Sequence, residues 1–389
     1  MNPETPPPDC TSRSETPLPR TLRIILLATP FVLFLGVLAG IEGIVRLNLP
    51  HISRLSLFVS SPHQQDGFTD DENVSIFYGD PLLFWRVRPN LDRVVWDFTL
   101  VSTNAQGLRH VEPIGPKREG SRRIIVLGDS VTFGYRVPVV FPQRPTNYDR
   151  NALPYPLDIE RRLRSANPDR EIDVAVLAVP GFSSHQGVTW LRNEIGELEP
   201  DLVVACFGWN DINLRGATDR DMMTTDWFNV TLRRVGSSSQ ALSHLVSWWR
   251  ERKGKEQEPT PRAESVSRVP EEHYVENFHE IARIARAHGA SVVVIGPVYR
   301  DSVTKKKEAE RMTSQRDALR NAMREAGIPY LEIPELTEAN YPESDRLFGE
   351  VIHPNVRGHR LMSARLLEFL SSEGMLWDLS VPKLRTDGS

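Results

Sequence analysis

Five short runs rich in β-branched residues, all beyond Arg122, limit what this chain can fold into more than any other feature. They are "RIIVLGD", "IDVAVLAV", "DLVVACFG", "SVVVIGP" and "PYLEI". Each is apolar nearly throughout rather than at every second position. That is the pattern of a strand covered on both faces, and hence of a parallel sheet. Between the runs lie amphipathic segments. In 271–288, for example, Tyr274, Phe278, Ile281 and Ile284 recur at helical spacing and Gly289 supplies the stop. Strand and helix in alternation predict a three-layer α/β/α sandwich around a mainly parallel five-stranded sheet. Ligands of such sheets bind beyond the carboxyl ends of the strands, so the residues just after each run are the ones to inspect.

The chain has 389 residues, more than one domain usually takes, and much of the surplus precedes the runs. Residues 1–20 hold six prolines and almost no apolar side chain, so 1–21 is expected to be a disordered tail. Then come eighteen residues without a charge, Ile24 to Ile41, extended to Val45 if Glu42 is tolerated. The run is long enough to span a bilayer and apolar all round, which predicts a transmembrane anchor over 22–47. A cleaved signal peptide is the rival, since "VLA" ending at Ala39 offers a peptidase its small residues. Arg13, Arg20 and Arg23 before the span outnumber Arg46 and Arg54 after it, a narrow bias that keeps the N-terminus inside and the rest extracytoplasmic.

Residues 52–120, with "DPLLFWRVRPNL" and the polar turn "TNAQGLRH", read as a β-rich preface packed on a main domain over 121–378, with 379–389 as a tail. An insertion, 212–270, breaks the alternation. Its apolar, helix-like "QALSHLVSWWRER" precedes the charged "KGKEQEPTPRAESVSRVP", and it reads either as a lid or as a core-covering helix with a loop. Trp248 and Trp249 read as core or membrane-facing, and "KKK" at 305–307 as a solvated helix face. The sequons at Asn73 and Asn229 matter only in a suitable secretory host.

Several function classes drop out on composition. A net charge of −4 and no basic stripe with interleaved aromatics argue against a nucleic-acid partner. The two cysteines lie apart, and Cys206 in "DLVVACF" reads as a buried core thiol, so no disulfide framework is expected. Ten histidines show no HExxH or comparable spacing, and neither a metal nor another cofactor is expected.

The corners after the runs carry chemistry. Ser130 follows the first, Gly181 in "AVPGFSS" the second, and Asn210 in "GWND" the third; His353 in "GEVIHPNVRGH" precedes a helix with Leu361, Ala364, Leu367 and Leu370 as its apolar positions. Acyl transfer needs a hydroxyl nucleophile, a base for its proton and donors aimed at the developing oxyanion. Ser130 can attack and His353 can be the base. The donors can be the Ser130 and Gly181 amide hydrogens and the Asn210 side chain. Each residue also has a plainer use: Ser130 or Asn210 as a helix cap, Gly181 as a tight turn. Asp129 and Asp211 read as acceptors for turn amides, and His185 and His359 as surface or packing residues.

The four blocks in this order resemble the SGNH, or GDSL, hydrolase superfamily: GDS supplies Ser130, "PGFSS" Gly181, "GWND" Asn210 and "HPN" His353. "TNAQGLRH" is similar to bacterial, membrane-anchored members with an N-terminal extension. The resemblance covers 122 to about 372 and implies a flavodoxin-like sheet, a metal-free serine mechanism and ester substrates. The family's usual Asp three residues before the histidine is Glu350 here. A carboxylate at that spacing can lie on the same turn and hold the imidazole Nδ1 hydrogen, with an extra methylene that changes the reach. The alternative is a Ser130–His353 dyad with Glu350 as a surface carboxylate. The expected activity is hydrolysis of an O-acyl, chiefly acetyl, ester of an extracytoplasmic glycan or lipid. The alternatives are O-acyl transfer to a polysaccharide and a non-catalytic envelope assembly protein with a decayed triad.

Overall fold

The computed structural model describes residues 19–49, 76–140, 151–223, 265–300, 304–337 and 346–381, with Tyr341 and parts of 230–252. The expected tail at 1–18, Asn73, Asn229, Trp249, most of the charged stretch after it and 382–389 lie outside the described residues.

All five apolar runs are strands: β5 (Arg122–Gly128), β6 (Ile172–Ala178), β7 (Leu202–Cys206), β10 (Ser291–Ile295) and β11 (Tyr330–Leu331). They form one parallel sheet in the order β11-β10-β7-β5-β6. Their side chains are buried on both faces, Ile125, Val126 and Val204 completely, which is why they lack alternation. On the helical side, α3 (Tyr155–Ala166) packs with α9 (Val356–Ser372), and α4 (Ser184–Leu198) packs with α6 (Glu271–Ala287), itself against α7 (Lys306–Glu325). In α6 all four predicted apolar positions are buried, and Gly289 just beyond takes a positive φ of 76°. The α9 stripe is as expected at Leu367 and Leu370 and differs at the two earlier positions. Met362, Leu366, Leu367 and Leu370 are buried, whereas Leu361 and Ala364 are half-buried.

The chain order makes β5 a switch point: β6 pairs on one side of it and β7 on the other. The carboxyl ends of these three strands therefore converge on a crevice. The preface supplies two antiparallel hairpins, β1 (Phe77–Asp80) with β2 (Phe84–Val87), and β3 (Val94–Trp96) with β4 (Thr99–Val101). Trp85, Val87, Trp96 and Val101 join the same core as the sheet.

The insertion is closed at its base by a pair of short strands, β8 (Leu214–Arg215) with β9 (Val266–Ser267). Its described helical part does not cover the core, because Leu242, Leu245 and Trp248 are exposed. It meets the N-terminal helix α1 (Arg20–Asn48) instead. Glu42 accepts hydrogen bonds from Gln240 N (2.8 Å), Ala241 N (3.0 Å) and Ser239 Oγ (2.8 Å). A carboxylate at the start of a helix satisfies amides that have no partner within the helix, so the one acidic interruption of the apolar run has a use. Leu26–Asn48 of α1 is long and apolar enough to cross a membrane, and its side chains are exposed apart from the half-buried Glu42, Gly43 and Val45.

Candidate active site

Ser130 begins α2 (Ser130–Phe133), a four-residue helical turn directly after β5. The turn is sharp enough that a Cβ on Gly128 would lie 2.1 Å from Thr132 Oγ1 and 2.7 Å from the Cys206 carbonyl oxygen. Asp129 fills the capping role, accepting from Val131 N at 2.9 Å. The Ser130 hydroxyl is thus left for another partner. That partner is His353, whose Nε2 lies 2.7 Å from Ser130 Oγ.

His353 sits in a tight loop rather than on a helix. Phe348 and Pro354 bridge, Gly349 N donates to His353 O (2.9 Å), and Asn355 N donates to Leu347 O (2.8 Å). The loop turns Glu350 back on the histidine, so that Oε1 faces Nδ1. The three-residue spacing therefore works through a loop, not through the helical turn that such spacing usually signals. The His353 hydrogen bond holds the Glu350 carboxyl below its ordinary range, and Arg136, 3.7 Å from Oε2, acts in the same direction. Tyr135 packs its ring 4.3 Å from the imidazole centroid, and its hydroxyl donates to Asp97.

On the other side of Ser130 lies the loop after β6. Gly181 takes φ +85°, in the left-handed region, and a Cβ there would come within 3.2 Å of the Trp85 ring. Among the described residues, neither the Ser130 N–H nor the Gly181 N–H donates to a protein acceptor. Asn210 Nδ2 donates to Phe182 O at 3.0 Å and reaches Asp129 Oδ2 at 3.4 Å. All five residues expected from the sequence therefore stand around one crevice. His185 and His359 do not belong to it. His359 is fully buried, accepts from Tyr155 N at 3.1 Å, and has its pKa pushed down to about 3 by burial.

The surroundings hold what the sequence did not signal. Arg268 makes a buried pair with Asp219 (Nη2 to Oδ2 2.8 Å) and donates through Nη1 to Gly181 O at 2.8 Å. Breaking such a pair from one side strands a buried charge, at a cost of about 3–5 kcal/mol. Arg109, from the "TNAQGLRH" turn, is buried and donates to the carbonyls of Phe133, Gly134 and Val137, the segment that leads from Ser130 to Tyr135 and Arg136. Burial brings its pKa down to about 9. Two carboxyls beside the crevice are also shifted: burial pushes Asp129 and Asp211 up to about 7. Asp211 accepts from Ser184 N (2.9 Å) and Ser184 Oγ (2.6 Å), as expected of a turn acceptor.

A hydroxyl, an imidazole and a carboxylate in series at a sheet's switch point define a serine-hydrolase arrangement. The chain belongs to the GDSL-like lipase/acylhydrolase family, whose model matches residues 126–361. It is accordingly a serine ester hydrolase. No curated protein matches the sequence. Among solved structures similar to it are an α/β hydrolase from the metagenome of Lake Arreo, 18% identical over 66% of this chain and 96% of that one, TM-score 0.41. Others are an acetylxylan esterase from Geobacillus stearothermophilus, 16% identical over 66% and 95%, TM-score 0.40, and a lipase/acylhydrolase from Enterococcus faecalis, 18% identical over 68% and 100%, TM-score 0.41.

Proposed function

We propose that the chain hydrolyses O-acyl esters, chiefly acetyl esters of an extracytoplasmic glycan, through an acyl-Ser130 intermediate. The observation that carries this reading is the series Glu350 Oε1, His353 Nδ1, His353 Nε2, Ser130 Oγ, with 2.7 Å at its last step. Ser130 Oγ attacks the ester carbonyl as Nε2 takes its proton, and Glu350 steadies the imidazolium through Nδ1. The oxyanion is met by the Ser130 and Gly181 N–H groups and by the Asn210 hydrogen that is only loosely engaged with Asp129, at 3.4 Å. The imidazolium then protonates the leaving alcohol. A water, deprotonated by the same nitrogen, releases the acid and restores Ser130. The five groups come from the ends of neighbouring strands and one loop, and between them they supply nucleophile, base, orienting carboxylate and oxyanion donors.

The substrate class rests on topology. α1 is read as an uncleaved anchor with its N-terminus inside, which sets the esterase beside the outer face of a membrane, where acylated surface glycans lie. The test is labelling by a fluorophosphonate probe, followed by turnover of short aryl esters and acetylated glycans. Adduct on Ser130 and release of acetate support the reading. No labelling of folded protein sinks it. An acetylated alcohol acceptor in place of free acetate would make the enzyme a transferase with the same residues.

A further inference from the structure

The Pro180–Gly181 peptide is held from the preface. Trp85, on β2, donates its indole N–H to Pro180 O at 3.0 Å, across 95 residues of sequence. That carbonyl belongs to the same planar unit as the Gly181 N–H, and in a trans peptide the two point in opposite directions. Fixing the oxygen therefore aims the hydrogen. A hydrogen bond accepted at the carbonyl also polarises the unit and makes its N–H a stronger donor.

The next peptide is fixed as well. Gly181 O accepts from Arg268 Nη1 at 2.8 Å, and the guanidinium is itself held by Asp219 (Nε to Oδ1 3.1 Å, Nη2 to Oδ2 2.8 Å) and by Gln186 Oε1 at 2.8 Å. The Arg268 and Asp219 side chains are 4% and 1% exposed, and Trp85 is buried at 2%. The Trp85 ring stands edge-on to Phe182, centroids 5.6 Å apart. It fills the space that any side chain at 181 would need. A loop in the left-handed region is thus clamped at both carbonyls by fully enclosed donors.

We propose that Trp85 is a positioning residue of the esterase, aiming and polarising the Gly181 N–H at the oxyanion, with Arg268 holding the neighbouring peptide. This rests on the serine-esterase reading above, in which Gly181 supplies a donor. It assigns the preface hairpin a part in the chemistry, since without it the oxyanion site lacks the group that orients one of its donors. Trp85 touches no reacting atom and acts only through the peptide.

The test uses the full chain in detergent with p-nitrophenyl acetate as substrate and phenylboronic acid as a mimic of the tetrahedral state. Trp85 is replaced by Phe and, separately, by benzothienylalanine, which keeps the bicyclic shape and has sulfur where the N–H was. Losing the buried hydrogen bond that aims the Gly181 N–H should weaken its grip on the tetrahedral state more than on bound substrate, lowering kcat about tenfold and weakening the boronate by a similar factor, with KM within about twofold. The benzothienyl variant should stay folded, with a melting temperature lowered by only several degrees, because shape and burial are retained while one buried carbonyl loses its donor. A kcat and boronate affinity equal to wild type in that variant would overturn the proposal. So would a loss of kcat that tracks a loss of folded protein while the boronate binds the folded fraction normally. Failure of the underlying reading looks different: the wild type itself then neither turns over the ester nor is labelled at Ser130.

Discussion

The two sides of the Ser130 crevice are built in opposite ways. The Gly181 side is enclosed: its carbonyls are gripped by Trp85 and Arg268, both nearly inaccessible. The His353 side is a surface loop, with Glu350 36% exposed and kept in place by Arg136 and by the Asp97–Tyr135 pair. On the proposed mechanism, the difference follows from the work each side does. Oxyanion donors are most effective when they are already aimed and need not reorganise as charge develops. A base must instead pass its proton from one oxygen to another and is served by a ring that can adjust slightly. Carboxyls on the two sides are shifted accordingly, upward by burial at Asp129 and Asp211 and downward by its partners at Glu350.

The most damaging change strikes the residue both sides share. Ser130→Ala should abolish ester hydrolysis and fluorophosphonate labelling while the melting temperature stays near wild type, since capping at this turn belongs to Asp129. Residual turnover near the wild-type rate would remove the nucleophile from both sides at once. Next in size is the exposed side. Glu350→Gln keeps the volume but presents the wrong hydrogen-bonding group to Nδ1, and by analogy with other triads kcat should fall by up to about 10⁴-fold. Glu350→Asp should keep part of the activity. If Gln costs nothing, the His353 side works as a dyad and the carboxylate at 350 is a surface group.

The enclosed side is expected to be less sensitive to any one loss, because its donors are several. Asn210→Ala should lower kcat about 10²- to 10³-fold with little change in KM. A change confined to KM would make Asn210 a strut for Phe182, whose carbonyl it already holds at 3.0 Å, and would leave the oxyanion to the two backbone groups.

The same contrast explains what could be read from the chain beforehand. The parallel sheet was legible because strands buried on both faces must be apolar throughout, and the runs at β5, β6 and β7 left no other use for themselves. Ser130, Gly181, Asn210 and His353 were legible because each stands at a strand end or helix start in a recognisable block. Glu350 was legible by spacing, although the loop that delivers it was not. Trp85 and Arg268 gave no local signal. Their roles are long-range hydrogen bonds to carbonyl oxygens, spanning 95 and 87 residues, and a carbonyl oxygen carries no side-chain identity that a sequence could display. Arg109 is intermediate. Its turn "TNAQGLRH" stood out as punctuation, but its use, satisfying three carbonyls behind the nucleophile, exists only once the preface has docked.

The smallest effect sought is on stability rather than rate, and it tests whether enclosure is what shifts the carboxyls. Asp211 is fully buried, accepts twice from Ser184 through Oδ1, and leaves Oδ2 without a partner, an arrangement that suits a neutral acid better than a carboxylate. Its pKa in the folded chain is about 7, against about 3.9 when unfolded. Between these values the native chain keeps a proton that the unfolded chain has released. Stability from this group is therefore fully present below about pH 4 and declines as pH rises to about 7, by at most about 1.4 kcal/mol per pH unit. Above pH 7 both states are ionised and the dependence ends. Asp129 contributes a slope of the same sign, so the wild-type profile alone does not isolate Asp211; the difference from Asp211→Asn does. Asn keeps an oxygen for Ser184 and cannot titrate. The melting temperature of wild type minus that of the variant should fall steadily from pH 4.5 to 7 and level off beyond. A flat difference would mean that Asp211 titrates alike in both states, and that the enclosed side of the crevice is wetter than its burial implies.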